Sequence, residues 1–329
     1  LLLVELFFEL HQELVDDAQD DVVVAGDVGG RVLPVGVGGH DVFARQILSE
    51  QELRDALVLA AAALHAGWNA LLKIGLDRYL TASLIQIGAA CVALPALPFF
   101  SLPQPVAWPF IAFSALLHVG YNLFLSRAYQ HGDLSQVYPI ARGSSPLLVA
   151  LLALLAGDLL QPAQWAALLV LVAGIWLMAW RGGHAHASLN GPLLLNALAT
   201  AACIAGYTLA DALGARSNGD AIGYALWLFV VNGLVATLLI TLRSGPRIFL
   251  RLGPHWRGGL GGGAMSMLAY SLVIWATTQA PVAMVSALRE SSVLFALLIG
   301  WLLLKEPMPP MRLLACAVIA LGVVLLKLA

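Results

Sequence analysis

From residue 53 onward, apolar segments of about 20 residues alternate with short polar loops. A helix of that length crosses the hydrocarbon core of a bilayer. No connecting loop is long enough to hold a separate soluble domain. The pattern therefore predicts an all-α integral membrane protein with ten spans. The spans lie near 53–74, 79–100, 107–129, 134–156, 163–180, 191–213, 221–242, 259–279, 282–304 and 311–328.

The first 52 residues have a different pattern. Glu5, Glu9 and Glu13 are four residues apart, with leucines beside them, which is typical of a short amphipathic helix. Residues 1–55 hold 12 Asp and Glu against 3 Arg, whereas the rest of the chain holds 7 against 14 Lys and Arg. We predict that residues 1–52 are an acidic N-terminal extension that is dispensable or disordered, with a regulatory role as the alternative.

The composition agrees with a membrane protein. Hydrophobic residues make up 60% of the chain, charged residues make up 11%, and the mean hydropathy is +0.86. Soluble domains carry about 25% charged residues. The 3 cysteines lie in separate apolar segments, so they predict neither a disulfide framework nor a metal site. We expect no cofactor and no nucleic-acid partner.

An internal repeat relates the two halves of the chain. The segment "LLALLAGDLLQPAQWAALLVLVAGIWLM" (151–178) matches "IGWLLLKEPMPPMRLLACAVIALGVVLL" (299–326), which aligns Asp158 with Glu306 and Gly174 with Gly322. Since five spans is an odd number, the second repeat must be inverted relative to the first. We predict two inverted five-helix repeats, residues 53–180 and 191–329.

These features resemble the EamA family of the drug/metabolite transporter superfamily. The resemblance rests on the ten spans, the two halves, the "AGD" and "LKE" ends of the fourth and ninth spans, and the segments "YPIARGSSPLL" and "ALRESSVLFALL". It implies a multi-pass transporter of the cell (inner) membrane that moves a small metabolite and is not an enzyme.

Two similar motifs place polar residues deep in the first and third spans. The stretches are "LHAGWN" (64–69) and "LHVGYN" (117–122). In each, a histidine is followed by an aromatic residue and an asparagine on the same helix face. Ionisable residues inside a membrane are functional candidates by default. We therefore predict that the motifs form two walls of one substrate cavity; hydrogen bonding between helices is the alternative. The candidate residues are His65, Trp68, Asn69, His118, Tyr121 and Asn122.

The fourth span carries Tyr138 and Arg142 next to two prolines. Pro139 and Pro146 lack the N–H that a helix interior needs, so we predict a broken fourth span whose freed carbonyls face a polar cavity. Tyr138 and Arg142 are further candidate substrate-binding residues.

The repeat aligns Arg142 with Glu290 of the ninth span, beside Arg289. We predict that Arg142 and Glu290 form a buried ion pair across the pseudo-two-fold axis. One interpretation is a permanent structural link. The interpretation we favour is a substrate-linked pair, in which Arg142 holds a carboxylate while Glu290 binds a proton or an amine.

The sixth span adds Tyr207 and Asp211. Asp211 lies near the end of that span, so it either caps the helix or pairs with Arg216, or it lines the cavity with Tyr207.

The leading hypothesis is a secondary transporter, and specifically an exporter, of a small polar metabolite such as an amino acid or related carboxylate. It would work by alternating access, with proton coupling through Glu290 or a histidine as an accompanying hypothesis. The alternative is a flippase for a lipid-linked substrate. An intramembrane enzyme has the least support, because Ser144 and Ser145 lack a G-x-S-x-G motif. Expected partners are a small-molecule substrate and membrane lipids, with the protein a monomer or a homodimer.

Two arguments on orientation disagree. Most basic residues of the inter-span loops fall on the side opposite the termini, including Arg243, Arg247 and Arg251. The positive-inside rule would then place both termini outside. The family resemblance implies that both termini are cytoplasmic.

Overall fold

The computed structural model describes residues 50–71, 78–131, 134–182, 190–304 and 309–329. Glu306 and nearly all of the predicted 1–52 extension lie outside these ranges. Packing divides the chain into two units, Leu1–Ala56 and Leu57–Ala329. In the first unit, the Arg54 Nη2 lies 3.2 Å from the Asp55 Oδ1. The second unit holds all the other described residues.

The described residues are almost entirely helical. They form two short 3₁₀ turns, Leu97–Phe99 and Gly253–His255. The α-helices are α1 (Glu50–Leu71), α2 (Arg78–Ala93), α3 (Trp108–His131), α4 (Leu134–Leu155), α5 (Pro162–Gly182), α6 (Gly191–Asn218), α7 (Ala221–Ser244), α8 (Ile248–Leu252), α9 (Trp256–Gln279), α10 (Val282–Arg289), α11 (Ser292–Leu304) and α12 (Pro310–Leu328).

Length and composition make the chain a multi-pass membrane protein. Among the described helices, 6 are long and apolar enough to cross a membrane, and shorter apolar helices occupy Tyr79–Ala93, Ile140–Leu155 and Pro162–Met178. Large apolar side chains such as Leu155 and Leu242 are strongly exposed, as expected of surfaces that face lipid tails. Every predicted span overlaps helix among the described residues, whereas the number that crosses the bilayer stays a prediction.

The internal repeat is visible in the packing of α5 against α12. A Cβ added to Gly174 would lie 2.8 Å from Ile319, and a Cβ added to Gly322 would lie 2.6 Å from Leu171. The separation of 148 residues that relates Arg142 to Glu290 also relates Leu171 to Ile319 and Gly174 to Gly322. The two contacts are therefore equivalent under the pseudo-symmetry, and each glycine lets the partner helix approach closely.

Further helix pairs follow the same relation between halves. Val58 and Ala61 of α1 pack into a core with Ala269 and Val273 of α9. The corresponding helices α6 and α3 also pack together extensively. A Cβ on Gly206 of α6 would lie 2.8 Å from Leu117 of α3. Each half thus contributes its first helix to the third helix of the other.

The predicted break in the fourth span is wrong. Helix α4 is continuous through Pro139 and Pro146. Pro146 cannot donate to the carbonyl of Arg142, but the Ser145 hydroxyl donates to that oxygen at 3.0 Å. A serine side chain thus satisfies the carbonyl that the proline frees, and the helix does not have to open.

The interruption lies in the ninth segment instead, between α10 and α11. The Glu290 N–H donates to the Ala287 carbonyl and the Ser291 N–H to the Leu288 carbonyl, both at 3.0 Å. These bonds span three residues rather than four, so the chain tightens there without any proline. The interruption places the polar sequence Arg289–Ser292 at the centre of a buried region.

Candidate functional site

The predicted ion pair between the halves is confirmed. The Arg142 Nε donates to the Glu290 Oε2 at 3.0 Å, and the two side chains are 6% and 0% exposed. The Arg289 Nε lies 3.9 Å from the other carboxylate oxygen of Glu290. Two buried guanidinium groups therefore share one carboxylate at the α10–α11 interruption.

Several buried polar atoms at this interruption have no hydrogen-bond partner within the described part of the chain. They are the Arg289 Nε and Nη2, the Glu290 Oε1 and the hydroxyls of Ser144, Ser286, Ser291 and Ser292. Buried polar groups are normally hydrogen-bonded, since each unsatisfied group costs about 1–3 kcal/mol. Unsatisfied donors and acceptors of the described residues are therefore concentrated at the α10–α11 interruption.

An aromatic cluster lies beside Arg289. The His118 ring stacks on Tyr207 with centroids 4.1 Å apart, and Tyr121 meets Tyr207 edge-on at 6.3 Å. Tyr270 approaches Tyr207 at 6.0 Å, and the Arg289 guanidinium lies 5.8 Å from the Tyr270 ring centre. Three predicted residues, His118, Tyr121 and Tyr207, are thus brought together, and Tyr270 connects them to Arg289.

Asp211 is buried beside the hydroxyl group of Tyr270. The Tyr270 hydroxyl donates to its Oδ2 at 2.7 Å and the Tyr224 hydroxyl donates to its Oδ1 at 3.1 Å. The expected alternative, that Asp211 pairs with Arg216, is wrong. Both donors are hydroxyl groups, and no Arg or Lys among the described residues lies within ion-pair distance of the Asp211 carboxylate.

Arg216 binds Asp158 instead. Its Nη1 and Nη2 donate to the two Asp158 oxygens, each at 3.1 Å, and its Nε donates to the Thr277 carbonyl at 2.9 Å. The Val282 N–H also donates to the Asp158 carboxylate at 3.1 Å. Partial burial alone would raise the pKa of Asp158, but the hydrogen bonds from Arg216 and Val282 outweigh it and lower that pKa. This contact, here called the Asp158–Arg216 latch, joins the α4–α5 loop, the end of α6 and the α9–α10 loop.

The two histidine motifs have opposite hydrogen-bond polarity. The Trp68 Nε1 donates to the His65 Nδ1 at 3.2 Å, so this nitrogen accepts. The His118 Nδ1 lies 2.9 Å from the Ser114 carbonyl, so here the same nitrogen donates. Arg289 is close enough to interact electrostatically with both histidines. The motifs are therefore similar in sequence but not equivalent in chemistry, and their role as two cavity walls stays a prediction.

Some predicted residues do not join the cluster, and two residues of the cluster were not predicted. Asn122 is half-buried on α3, and the side chains of Asn69 and Tyr138 lie outside the described part of the structure. The sequence did not identify Tyr224 or Tyr270 as site residues. Tyr270 had a detectable signal, because "AYSL" (269–272) is the repeat partner of "GYNL" (120–123).

Comparisons with known proteins agree with this architecture. A solved structure described as "Crystal structure of protein" shares the fold, with a TM-score of 0.67 and 22% sequence identity over 85% of this chain and 97% of that chain. No match was found among curated proteins. The model of the EamA-like transporter family matches residues 53–180 and again residues 191–328. The chain therefore belongs to the EamA-like transporter family, a family of membrane transporters of small molecules rather than enzymes.

Proposed function

We propose that this protein is a secondary transporter that exports a small polar metabolite with a carboxylate, such as an amino acid, across the cell (inner) membrane. It does so by alternating access between two inverted five-helix repeats with ten spans in total. The substrate site lies between the α10–α11 interruption and the aromatic cluster.

Arg289 is the observation that carries this proposal. Its side chain is 4% exposed, and its Nε and Nη2 have no acceptor among the described residues. Burying a guanidinium group is costly unless it is paired and hydrogen-bonded. A carboxylate fits this requirement because it accepts two parallel N–H bonds from a guanidinium group. Arg142, which already binds Glu290, is the second guanidinium group that can reach the same ligand.

The opposite side of the cluster suits a cation. Tyr270 contacts Arg289 with its ring and Asp211 with its hydroxyl. The Asp211 carboxyl group lies on this side, and the faces of Tyr207 and Tyr270 attract ammonium groups. A zwitterion such as an amino acid would place its carboxylate at the arginines and its amine towards Asp211 or Glu290.

The burial of the site supports alternating access. Arg142, Arg289 and Glu290 are all buried, and neither of the two surface pockets described in the structure includes them. A substrate can reach these residues only if helices move apart at one end. Proton coupling through Glu290 or a histidine would add a driving force, and transport that ignores an imposed pH gradient would exclude it.

The function is tested by thermal unfolding of the purified protein against a panel of metabolites. A ligand at 100 times its dissociation constant stabilises the folded state by about 2.7 kcal/mol. We expect a carboxylate-bearing metabolite to raise the melting temperature of the wild type and of Arg127→Gln, a charge-matched control in α3. The same compound should not raise the melting temperature of Arg142→Gln or of Arg289→Gln.

The other outcomes are informative. A response that persists in both arginine variants would contradict the assigned site. No response to any soluble compound would contradict the proposed substrate class and favour a flippase for a lipid-linked substrate.

A further inference from the structure

A basic pocket that includes none of the substrate-site residues lies where α2 begins and α7 ends. It has a volume of about 320 Å³ and is lined by Tyr79, Arg243, Arg247 and Arg251, among others. Gly245, with φ of +75°, turns the chain between α7 and the short helix α8 and so brings the three arginines to one opening. Small-molecule sites have volumes of about 300–1,000 Å³. The pocket is therefore large enough to receive a small charged group.

The three arginines, Arg243, Arg247 and Arg251, form no ion pair with a carboxylate among the residues that the structure describes. Arg243 is held in place over the Tyr79 ring, with its guanidinium carbon 5.0 Å from the ring centre. Arginine geometry matches phosphate oxygens bidentately, so three of them around one cavity favour a phosphate group.

The surface around the pocket is apolar rather than simply solvated. Helix α8 buries Ile248 and Leu252 against the bundle. Its neighbouring position Leu250 is nevertheless 79% exposed, and Trp256 beyond it is 53% exposed. A helix with basic and apolar residues both facing outward, next to an exposed tryptophan, is typical of the interface between lipid headgroups and acyl chains.

We propose that this pocket binds the phosphate headgroup of an anionic phospholipid, with the acyl chains lying along the exposed apolar residues of α7 and α8. A free phosphate ion would use the arginines but would have no use for the exposed Leu242 and Leu250. A lipid uses both surfaces at once. The bound lipid would hold the α7–α8 turn against α2.

The test is a titration of the detergent-solubilised full-length protein with short-chain lipids, followed by thermal unfolding. Dioctanoyl-phosphatidylglycerol should stabilise the wild type, whereas dioctanoyl-phosphatidylcholine and inorganic phosphate should not. Each basic residue near a membrane surface contributes about fivefold to the affinity for anionic lipid. The double variant Arg247→Gln/Arg251→Gln should therefore lower the affinity for phosphatidylglycerol by about 25-fold.

A second double variant controls for overall charge. Arg127→Gln/Lys327→Gln removes two exposed basic residues outside the pocket and should bind phosphatidylglycerol as the wild type does. Equal weakening in both double variants would show diffuse charge attraction and overturn the proposal. An equal response to inorganic phosphate, lost in Arg247→Gln/Arg251→Gln, would show a free-anion site and would also overturn it. If phosphatidylglycerol did not stabilise the wild type, that result would also overturn the proposal. The single variant Arg251→Gln repeats the comparison if the pocket double variant does not fold.

Discussion

At the scale of single residues, three charged groups decide the chemistry of the bundle interior. Arg142, Arg289 and Glu290 lie together, each 6% exposed or less. Two guanidinium groups and one carboxylate leave the positive charge locally in excess. A buried charge without a partner is strongly destabilising, so the three residues should not respond equally to substitution.

Neutralising Glu290 should destabilise the protein more than neutralising Arg142. Glu290→Gln removes the carboxylate that both buried guanidinium groups approach, which should cost about 3–5 kcal/mol. Arg142→Gln leaves Glu290 with Arg289, 3.9 Å away in the present structure, and should cost less. Thermal unfolding of the two variants in one detergent measures the difference. An Arg142→Gln variant that loses as much stability as Glu290→Gln would show that Arg289 does not compensate.

The sequence located some of these residues for a physical reason. The repeat alignment equates Arg142 with Glu290, and residues related by a pseudo-two-fold axis meet when they lie close to that axis. Tyr270 was not identified, although the repeat pairs it with the candidate Tyr121, because its own span holds no other polar motif residue beside it. Its importance comes from its two contacts, with Arg289 and Asp211, which belong to other helices.

At the scale of helices, local sequence rules worked less well. Two prolines predicted a break in α4, yet the break lies between α10 and α11, where the sequence has no proline. The Ser145 hydroxyl compensates for Pro146 in α4. In the ninth segment, backbone bonds from Glu290 to Ala287 and from Ser291 to Leu288 tighten the chain without a proline. Such compensation depends on side-chain direction, which propensity alone does not encode.

The α5–α12 contact gives a prediction at the same scale. In Gly322→Ala, the new Cβ would lie 2.6 Å from backbone atoms of Leu171, which cannot rotate away. We expect a loss of about 1–3 kcal/mol in the free energy of unfolding. Gly261→Ala is the matched control, because this exposed glycine of α9 has nothing within 4 Å of an added Cβ. That variant should be neutral or more stable by up to about 1 kcal/mol. Equal effects in the two variants would contradict close packing between α5 and α12.

At the scale of the whole molecule, the repeat explains why the halves meet in equivalent pairs. The contact of α1 with α9 corresponds to that of α6 with α3. The pseudo-two-fold axis exchanges α5 with α12, so the two halves of the α5–α12 contact correspond to each other. The sequence predicted this organisation because hydropathy and repeat alignment are properties of long segments. The Asp158–Arg216 latch does not follow the repeat, since it joins the α4–α5 loop to two elements of the second half, and so it could not be predicted.

The latch makes stability depend on pH. Because the pKa of Asp158 is lowered below its ordinary value of 3.8 in the folded protein, its contribution is complete above that value and is lost as the pH falls through the lowered pKa. The Arg216 side chain is 30% exposed, so solvent screening limits the contribution to about 1–2 kcal/mol. Asp158→Asn should therefore unfold at a lower temperature than the wild type at neutral pH, and the difference should shrink when both are measured well below pH 3.8. Arg216→Gln should converge only in part, because it also removes the hydrogen bonds to the Thr277 and Ala280 carbonyls, which do not depend on the Asp158 charge. A difference that stays constant down to the lowest pH would show that the Asp158 charge does not contribute. Because the latch joins both halves at one end of the bundle, its loss should also favour opening at that end during alternating access.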